Sequence, residues 1–152
     1  MESMEAMAMY RPMMMTAVPD RTVGDLPVCR LRRVTQYIQD NLHRELRLAE
    51  LSAHVHMSPY HFARLFKRST GTPPHQFVLR RRIDRATTLL ATGELPIGEI
   101  ARVVGFQTPS HFTTVFRRIT GITPSVYRIA SAAARPDGHE THGLPDSASR
   151  KE

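Results

Sequence analysis

The feature that most constrains the fold of this chain is an internal duplication. Residues 48–71 and residues 97–121 both contain a short apolar helical segment, a turn, a Ser-Pro or Thr-Pro start and a second helical segment that ends in Thr-Gly. The shared residues are Pro59, His61, Phe62, Phe66, Arg68, Thr70, Gly71 and Pro74 in the first copy and Pro109, His111, Phe112, Phe116, Arg118, Thr120, Gly121 and Pro124 in the second. A repeated pattern marks one structural unit used twice, so the two copies are predicted to share a fold.

Each copy is predicted to be two helices joined by a tight turn. Ser58 and Thr108 can cap the second helix, because a side-chain oxygen accepts a hydrogen bond from an otherwise unpaired N–H, and the proline after each of them suits the first helical position. Gly71 and Gly121 can end those helices because glycine tolerates a positive φ. The pattern therefore predicts two helix-turn-helix units.

The second helix of each copy has an apolar face and a polar face. The phenylalanines fall on the apolar stripe at the 3.6-residue period, so we expect Phe62, Phe66, Phe112 and Phe116 in the core and not as stacking platforms for bases. The opposite face carries groups that can address nucleic acid. These groups are Tyr60, Arg64 and Lys67 in the first copy and Ser110, Thr114 and Arg117 in the second.

The complete pattern predicts an all-α protein of about seven helices. A first helix-turn-helix unit covers residues 30–71, a linker helix capped by Thr72 covers residues 74–92, and a second unit covers residues 96–130. A helix of 19 residues spans ~28 Å, close to the ~34 Å between successive major-groove faces of DNA. One chain could therefore place two reading helices in adjacent grooves.

The two flanks lack such periodicity. Residues 1–29 hold seven of the eight methionines and are predicted to be a disordered, Met-rich arm. Residues 131–152 are dominated by Ala, Pro, Gly, Ser and His, and are predicted to be a disordered tail.

Charge is concentrated between the flanks. Residues 30–128 contain 16 Lys or Arg and 6 Asp or Glu, whereas the flanks together are acidic. A basic folded region is the electrostatic footprint of a polyanionic partner. Double-stranded DNA is the predicted partner.

Other classes of function find little support in the sequence. Cys29 is the only cysteine, which excludes an intrachain disulfide and a thiolate zinc cluster. His54 and His56 are two residues apart and cannot share a helix face, so neither a metal nor another cofactor is expected. An enzyme based on Cys29 would need an oriented base, and the sequence indicates none. No run approaches the ~18 apolar residues of a membrane helix, so we expect a soluble, cytoplasmic protein without a membrane partner.

From about Arg30 to Arg128 the chain resembles the DNA-binding domain of the AraC/XylS family of bacterial transcription regulators. The positions that carry the resemblance are Ala101, Gly105, Phe106, His111, Phe112, Phe116, Arg117, Arg118, Gly121, Pro124, Tyr127 and Arg128. The resemblance implies two homeodomain-like helix-turn-helix subdomains and sequence-specific regulation of transcription, with RNA polymerase as a further partner to test.

The resemblance also implies roles for individual residues. Base reading falls to Tyr60, Ala63 and Arg64 in the first unit and to Pro109, Ser110, Thr113 and Thr114 in the second. Phosphate contacts fall to Ser58, Lys67, Arg68, Thr108, Arg117 and Arg118. Arg80 and Arg81 belong to a run of three arginines that is either a phosphate clamp or a solvated face of the linker helix. Because Arg64 can bind guanine through two hydrogen bonds while the second unit offers short side chains, we expect the first unit to supply most base-specific energy.

Two alternatives remain open at this point. The chain could resemble small family members that bind DNA as monomers, or it could be a shortened relative of a longer, ligand-responsive regulator; the sequence indicates no small-molecule site. An architectural DNA-binding protein without promoter function would use the same motifs.

Overall fold

The computed structural model describes residues 24–135, which form seven α-helices and no strand. The helices are α1 (Val28–Asp40), α2 (Leu48–His54), α3 (Pro59–Thr70), α4 (Pro74–Thr92), α5 (Ile97–Val103), α6 (Pro109–Thr120) and α7 (Pro124–Ala133). The all-α prediction is confirmed. Most of the predicted arm, up to residue 23, and the predicted tail from residue 136 lie outside the described residues.

The folded region is longer at both ends than predicted. Leu26 is buried and its N–H donates to the Ser69 hydroxyl over 2.8 Å, and α1 begins at Val28, so the arm boundary at residue 29 is wrong for residues 24–29. At the other end α7 continues to Ala133 and buries Ser131, beyond the boundary at residue 130. A single apolar residue before a helix, or alanines after one, carry too little periodicity to reveal packing of this kind.

The two helix-turn-helix units, α2–α3 and α5–α6, have the same end structures. The Ser58 hydroxyl accepts a bond from the His61 N–H, and the Thr108 hydroxyl accepts one from the His111 N–H, as predicted. Helices α3 and α6 both end on a glycine in the left-handed region, with φ of 77° at Gly71 and 86° at Gly121.

The threonine before each of these glycines has a role that the sequence did not reveal. The Thr70 hydroxyl shares its one proton between the carbonyls of Phe66 and Thr72, which lie 2.8 Å and 2.9 Å from its oxygen. The Thr120 hydroxyl does the same between the carbonyls of Phe116 and Ile122, at 2.9 Å and 3.0 Å. The same threonine therefore links the end of α3 or α6 to the turn that follows it. The predicted cap at Thr72 is wrong, because Pro73 occupies the N-cap position of α4 without a side-chain bond.

Helix α4 divides its apolar residues between two cores. Phe77 and Val78 complete the core of α1–α3, whereas Leu79, Ile83 and Leu90 belong to the core of α5–α7. The principal packing of α4 is against α3 on one side and against α5, α6 and α7 on the other. Each unit thus has its own core, and the linker helix is built into both of them.

Candidate nucleic-acid interface

Helices α3 and α6 present equivalent surfaces. Position by position, residues 59–69 and residues 109–119 fall in the same classes of burial. The phenylalanines predicted for the core are completely buried in both helices: Phe62, Phe66, Phe112 and Phe116. Burial of one face fixes each helix on its unit, so the other face remains available for a partner.

The exposed face of α3 carries two large side chains. Tyr60 is 79% exposed, and Arg64 is exposed one helical turn further along. Ala63 lies beside them and is half-buried. An aromatic ring left this open by the fold, next to a guanidinium, is suited to contacts with another molecule.

The corresponding face of α6 is built from short side chains. Pro109, Ser110 and Thr114 are exposed, and Thr113 is half-buried like its counterpart Ala63. The Thr114 hydroxyl donates to the Ser110 carbonyl over 3.0 Å, so its one proton is already used inside the helix. Compared with the exposed face of α3, this face has shorter side chains and fewer hydrogen-bond donors.

The cations predicted to contact phosphates differ in their surroundings. Lys67, Arg117 and Arg118 are exposed in the last turns of α3 and α6. The Arg68 guanidinium instead faces the Asp25 carboxylate at 3.8 Å, although half of the side chain stays exposed. Arg68 therefore also ties the segment before α1 to the first unit.

Ser58 and Thr108 stand at the exposed starts of the reading helices. Their oxygens accept the capping bonds from the chain, over 3.4 Å and 3.2 Å. A hydroxyl that accepts such a bond still has its own proton to donate, so the predicted role toward phosphate is compatible with capping.

The run of three arginines on α4 points in three directions. Arg80 is exposed, Arg81 lies over the Phe77 ring with 5.0 Å from its guanidinium carbon to the ring centroid, and Arg82 turns inward. The Arg82 guanidinium donates to the carbonyls of Leu42 and Arg44, and burial lowers its pKa. The run is therefore neither a single clamp nor a single solvated face.

A cleft of about 860 Å³ separates the two units. Its walls come from both reading helices, through Ala63 of α3 and His111 of α6, and Arg82 lines it from the linker helix. The turn between α5 and α6 also lines the cleft, through Gly105 and Phe106.

The same arrangement occurs in known proteins. The family model described as a helix-turn-helix domain matches residues 51–130, more than half of the chain. LumQ of Photobacterium leiognathi, a probable transcriptional regulator, is 37% identical over 95 residues, which cover 62% of this chain and 38% of LumQ. A crystal structure of a Chromobacterium violaceum regulator with an AraC-type DNA-binding domain is similar with a TM-score of 0.66 and 28% identity, over 70% of this chain and 96% of that one.

The chain belongs to the AraC/XylS family. The DNA-binding domain of another regulator, the global transcriptional factor AdpA, was crystallised with a target DNA. That domain has a TM-score of 0.68 and 34% identity to this chain, over 72% of this chain and 98% of its own length. The fold of this AraC/XylS member is thus one that has been seen on DNA.

The match concerns one domain of the relatives. This chain spans about a third of the length of several curated relatives, with 38% of LumQ as one example. Within residues 24–135, no helix has the length and apolar character needed to cross a membrane. The same residues contain no cluster of three or more His, Cys, Asp or Glu with the geometry of a metal site.

A polar cluster that the sequence analysis missed supports the first helix-turn-helix unit. Tyr37 of α1 and Glu50 of α2 are hydrogen bonded, and Arg44 from the loop between them bonds to both. The Arg44 guanidinium lowers the pKa of Glu50 to about 2, and the Tyr37 hydroxyl contributes to this shift. His54 stacks on the Tyr37 ring with 4.2 Å between centroids, so it has a packing role.

Proposed function

We propose that this chain is a sequence-specific, DNA-binding regulator of transcription in the bacterial cytoplasm, and that it places α3 and α6 in successive major grooves. The observation that carries the proposal is the equivalence of the two helices, which have the same caps, the same ends and the same exposed positions. Two helices of the same geometry on one chain suit a ligand that repeats along an axis, as the grooves of DNA do.

In this proposal the first unit supplies most of the sequence preference. Arg64 can donate two hydrogen bonds to O6 and N7 of guanine, which is worth ~1–3 kcal/mol of discrimination against another base. The exposed Tyr60 ring and the methyl group of Ala63 can contact thymine methyl groups next to it. The reach of Arg64 and its exposure support this assignment.

The second unit then contributes more to affinity than to choice of sequence. Its base-facing residues are short, and the Thr114 proton is engaged with Ser110. The exposed Arg117 and Arg118 can neutralise phosphates, which positions a protein without selecting a sequence. DNA shape, which sets how well the backbone fits these cations, is the remaining source of preference in this unit.

One chain should be enough for both contacts, so we propose that it binds DNA as a monomer. Helix α4 has 19 residues and thus spans ~28 Å between the units, near the ~34 Å that separate two major-groove faces. RNA polymerase is the proposed further partner on promoter DNA, to be tested by pull-down on the bound duplex.

Selection of bound duplexes from a random pool tests the proposal, followed by titration of the best duplex against salt. A regulator should enrich a site with two informative segments, and its preference over unrelated DNA should persist as salt rises. Enrichment of no sequence, with affinity that simply falls at high salt, would replace the proposal by architectural, non-specific binding.

A further inference from the structure

The two units meet at a small junction centred on Arg82. From the middle of α4, the Arg82 guanidinium donates to the Leu42 carbonyl over 3.1 Å and to the Arg44 carbonyl over 2.7 Å. Both carbonyls belong to the segment that follows α1 in the first unit. Because the two bonds come from different nitrogens of one rigid, planar group, they fix direction as well as distance.

The second unit reaches the same point through its turn. A side chain at Gly105 would place its Cβ 2.0 Å from the Leu42 carbonyl oxygen and 3.0 Å from the Arg82 guanidinium, so the two backbones approach closely there. The neighbouring Phe106 ring lies under Arg82, with 5.8 Å from the guanidinium carbon to the ring centroid. Arg82 is thus in contact with both units at once.

This contact is not explained by the need to neutralise a charge. Among the ion pairs found in the described part of the chain, none involves Arg82. Burial lowers its pKa, so placing a cation here has an energetic cost that two carbonyl bonds and a ring offset. A cost of this kind is consistent with a group retained for geometry.

We propose that the junction of Arg82, Gly105 and the Leu42 carbonyl sets the distance and rotation between α3 and α6, and thereby the spacing of the two DNA segments that the chain accepts. The inference rests on the proposed function and assigns Arg82 a positioning role. A tilt of one unit by only ~7° about the far end of a ~28 Å helix displaces that unit by ~3.4 Å, which is the rise of one base pair. A loosened junction should therefore accept several spacings.

The test is a series of duplexes that carry the two selected segments with the spacer changed by one base pair at a time. We expect the native chain to bind one spacing about tenfold or more tightly than its neighbours, which corresponds to ~1.4 kcal/mol. In Arg82→Ala this ratio should fall to roughly twofold, because displaced units can re-fit the shifted segment. Arg80→Ala, which removes an exposed arginine from the same helix, should weaken binding at all spacings and keep the ratio.

A second measurement tests the arrangement of the two units in the folded protein without DNA. Nitroxide labels on the exposed Cys29 and on the exposed position of a Ser125→Cys variant report the distance between the units in the free protein. We expect a narrow distance distribution in the native chain and a broad one in Arg82→Lys, which keeps the charge but lacks the rigid, planar fork of the guanidinium.

The outcomes distinguish the two proposals. A native chain that selects no site contradicts the proposed function, while the label distances still decide whether Arg82 fixes the units. The role of the junction alone is overturned if the native chain prefers one spacing, Arg82→Ala keeps the same preference, and Arg82→Lys shows the same distribution of label distances as the native chain.

Discussion

At the scale of single residues, α3 and α6 have the same pattern of buried and exposed positions but different exposed side chains. Arg64 and Thr114 occupy the same position of the repeat, and both are exposed. A guanidinium recognises guanine through a fork of two donors, whereas a threonine hydroxyl makes one bond that many bases satisfy. Among the position pairs that differ between the two units, Arg64 and Thr114 should contribute most to the difference in base preference.

We predict that Arg64→Ala loses ~1–3 kcal/mol of preference for the selected guanine and relaxes the choice of base at that position. Thr114→Ala should change the preference by less than ~0.5 kcal/mol, since the Thr114 proton already bonds within the helix. Binding titrations against matched and mismatched duplexes measure both changes. Equal losses of preference in the two variants would refute the asymmetry.

The exposed Lys67 provides a matched control for Arg64. Lys67→Ala removes the same charge from the same helix, but we expect it to weaken binding to all sequences alike and to reduce the salt slope by about 1. If Lys67→Ala changed the base preference instead, the separation of base-reading and phosphate-contacting residues on α3 would be wrong.

At the scale of elements, the attachment of α1 to α2 depends on pH. Glu50 has a pKa of about 2 in the folded chain, below the ordinary value of 4.5, because its charged form is bonded to Arg44 and Tyr37. A lowered pKa stabilises the fold above the unfolded value. This contribution is lost as the pH falls from about 4.5 through 2.

We predict that Glu50→Gln lowers the free energy of unfolding by about 1 kcal/mol at pH 7, a modest figure because the pair is partly exposed to solvent. The difference between the variant and the native chain should shrink as the pH falls from 4.5 toward 2, because the unfolded native chain then takes up a proton at Glu50 that the folded chain binds only near pH 2. Urea titrations at a series of pH values measure it. A difference independent of pH would show that the charge of Glu50 does not support this contact.

Three glycines differ in why a side chain would or would not be tolerated at their positions. A side chain at Gly71 would meet no atom within 4 Å, but the φ of 77° disfavours any residue other than glycine. Gly105 has a φ of 95°, and a side chain there would also clash with the Leu42 carbonyl oxygen. Gly98 has open space around it and an ordinary helical φ. We predict that Gly71→Ala costs about 1 kcal/mol and Gly105→Ala clearly more, whereas Gly98→Ala stabilises by about 0.5 kcal/mol. Thermal unfolding of the three variants gives the order, and a Gly105→Ala variant as stable as Gly71→Ala would contradict the close approach of the units.

The repeat made most of these elements predictable. The Ser-Pro and Thr-Pro starts and the Thr-Gly ends set the bounds of α3 and α6, because capping and left-handed termination are local chemistry. The bounds of α4 at residues 74 and 92 also agree with the prediction. The sequence did not predict the burial of Leu26 or the cluster of Tyr37, Arg44 and Glu50, because these contacts join segments that are not related by a helical period.

The direction of Arg82 could have been predicted from the sequence. Val78, Arg82 and Ala86 follow one another at four-residue intervals, and the first and last of them are buried. An arginine within a buried stripe of a helix must find partners inside the protein. The partners themselves, two backbone carbonyls forty and thirty-eight residues away, depend on how the units pack and could not be predicted.

At the scale of the whole molecule, one helix and one junction connect the two cores. Each core fixes α3 or α6 on its own unit, and α4 packs into both cores. In our proposal, Arg82 of α4 sets the orientation of the units relative to each other. A cleft of about 860 Å³ lies between the two units, beside Arg82. The central claim is therefore that a single chain occupies two successive major grooves on one side of the duplex.

Hydroxyl-radical footprinting on the selected duplex, at one chain per duplex, tests this claim most directly. We predict two protected windows on the same face of the DNA, about one helical turn or ~10 base pairs apart. A single window at this stoichiometry, with the second appearing only when two chains are bound, would contradict the account.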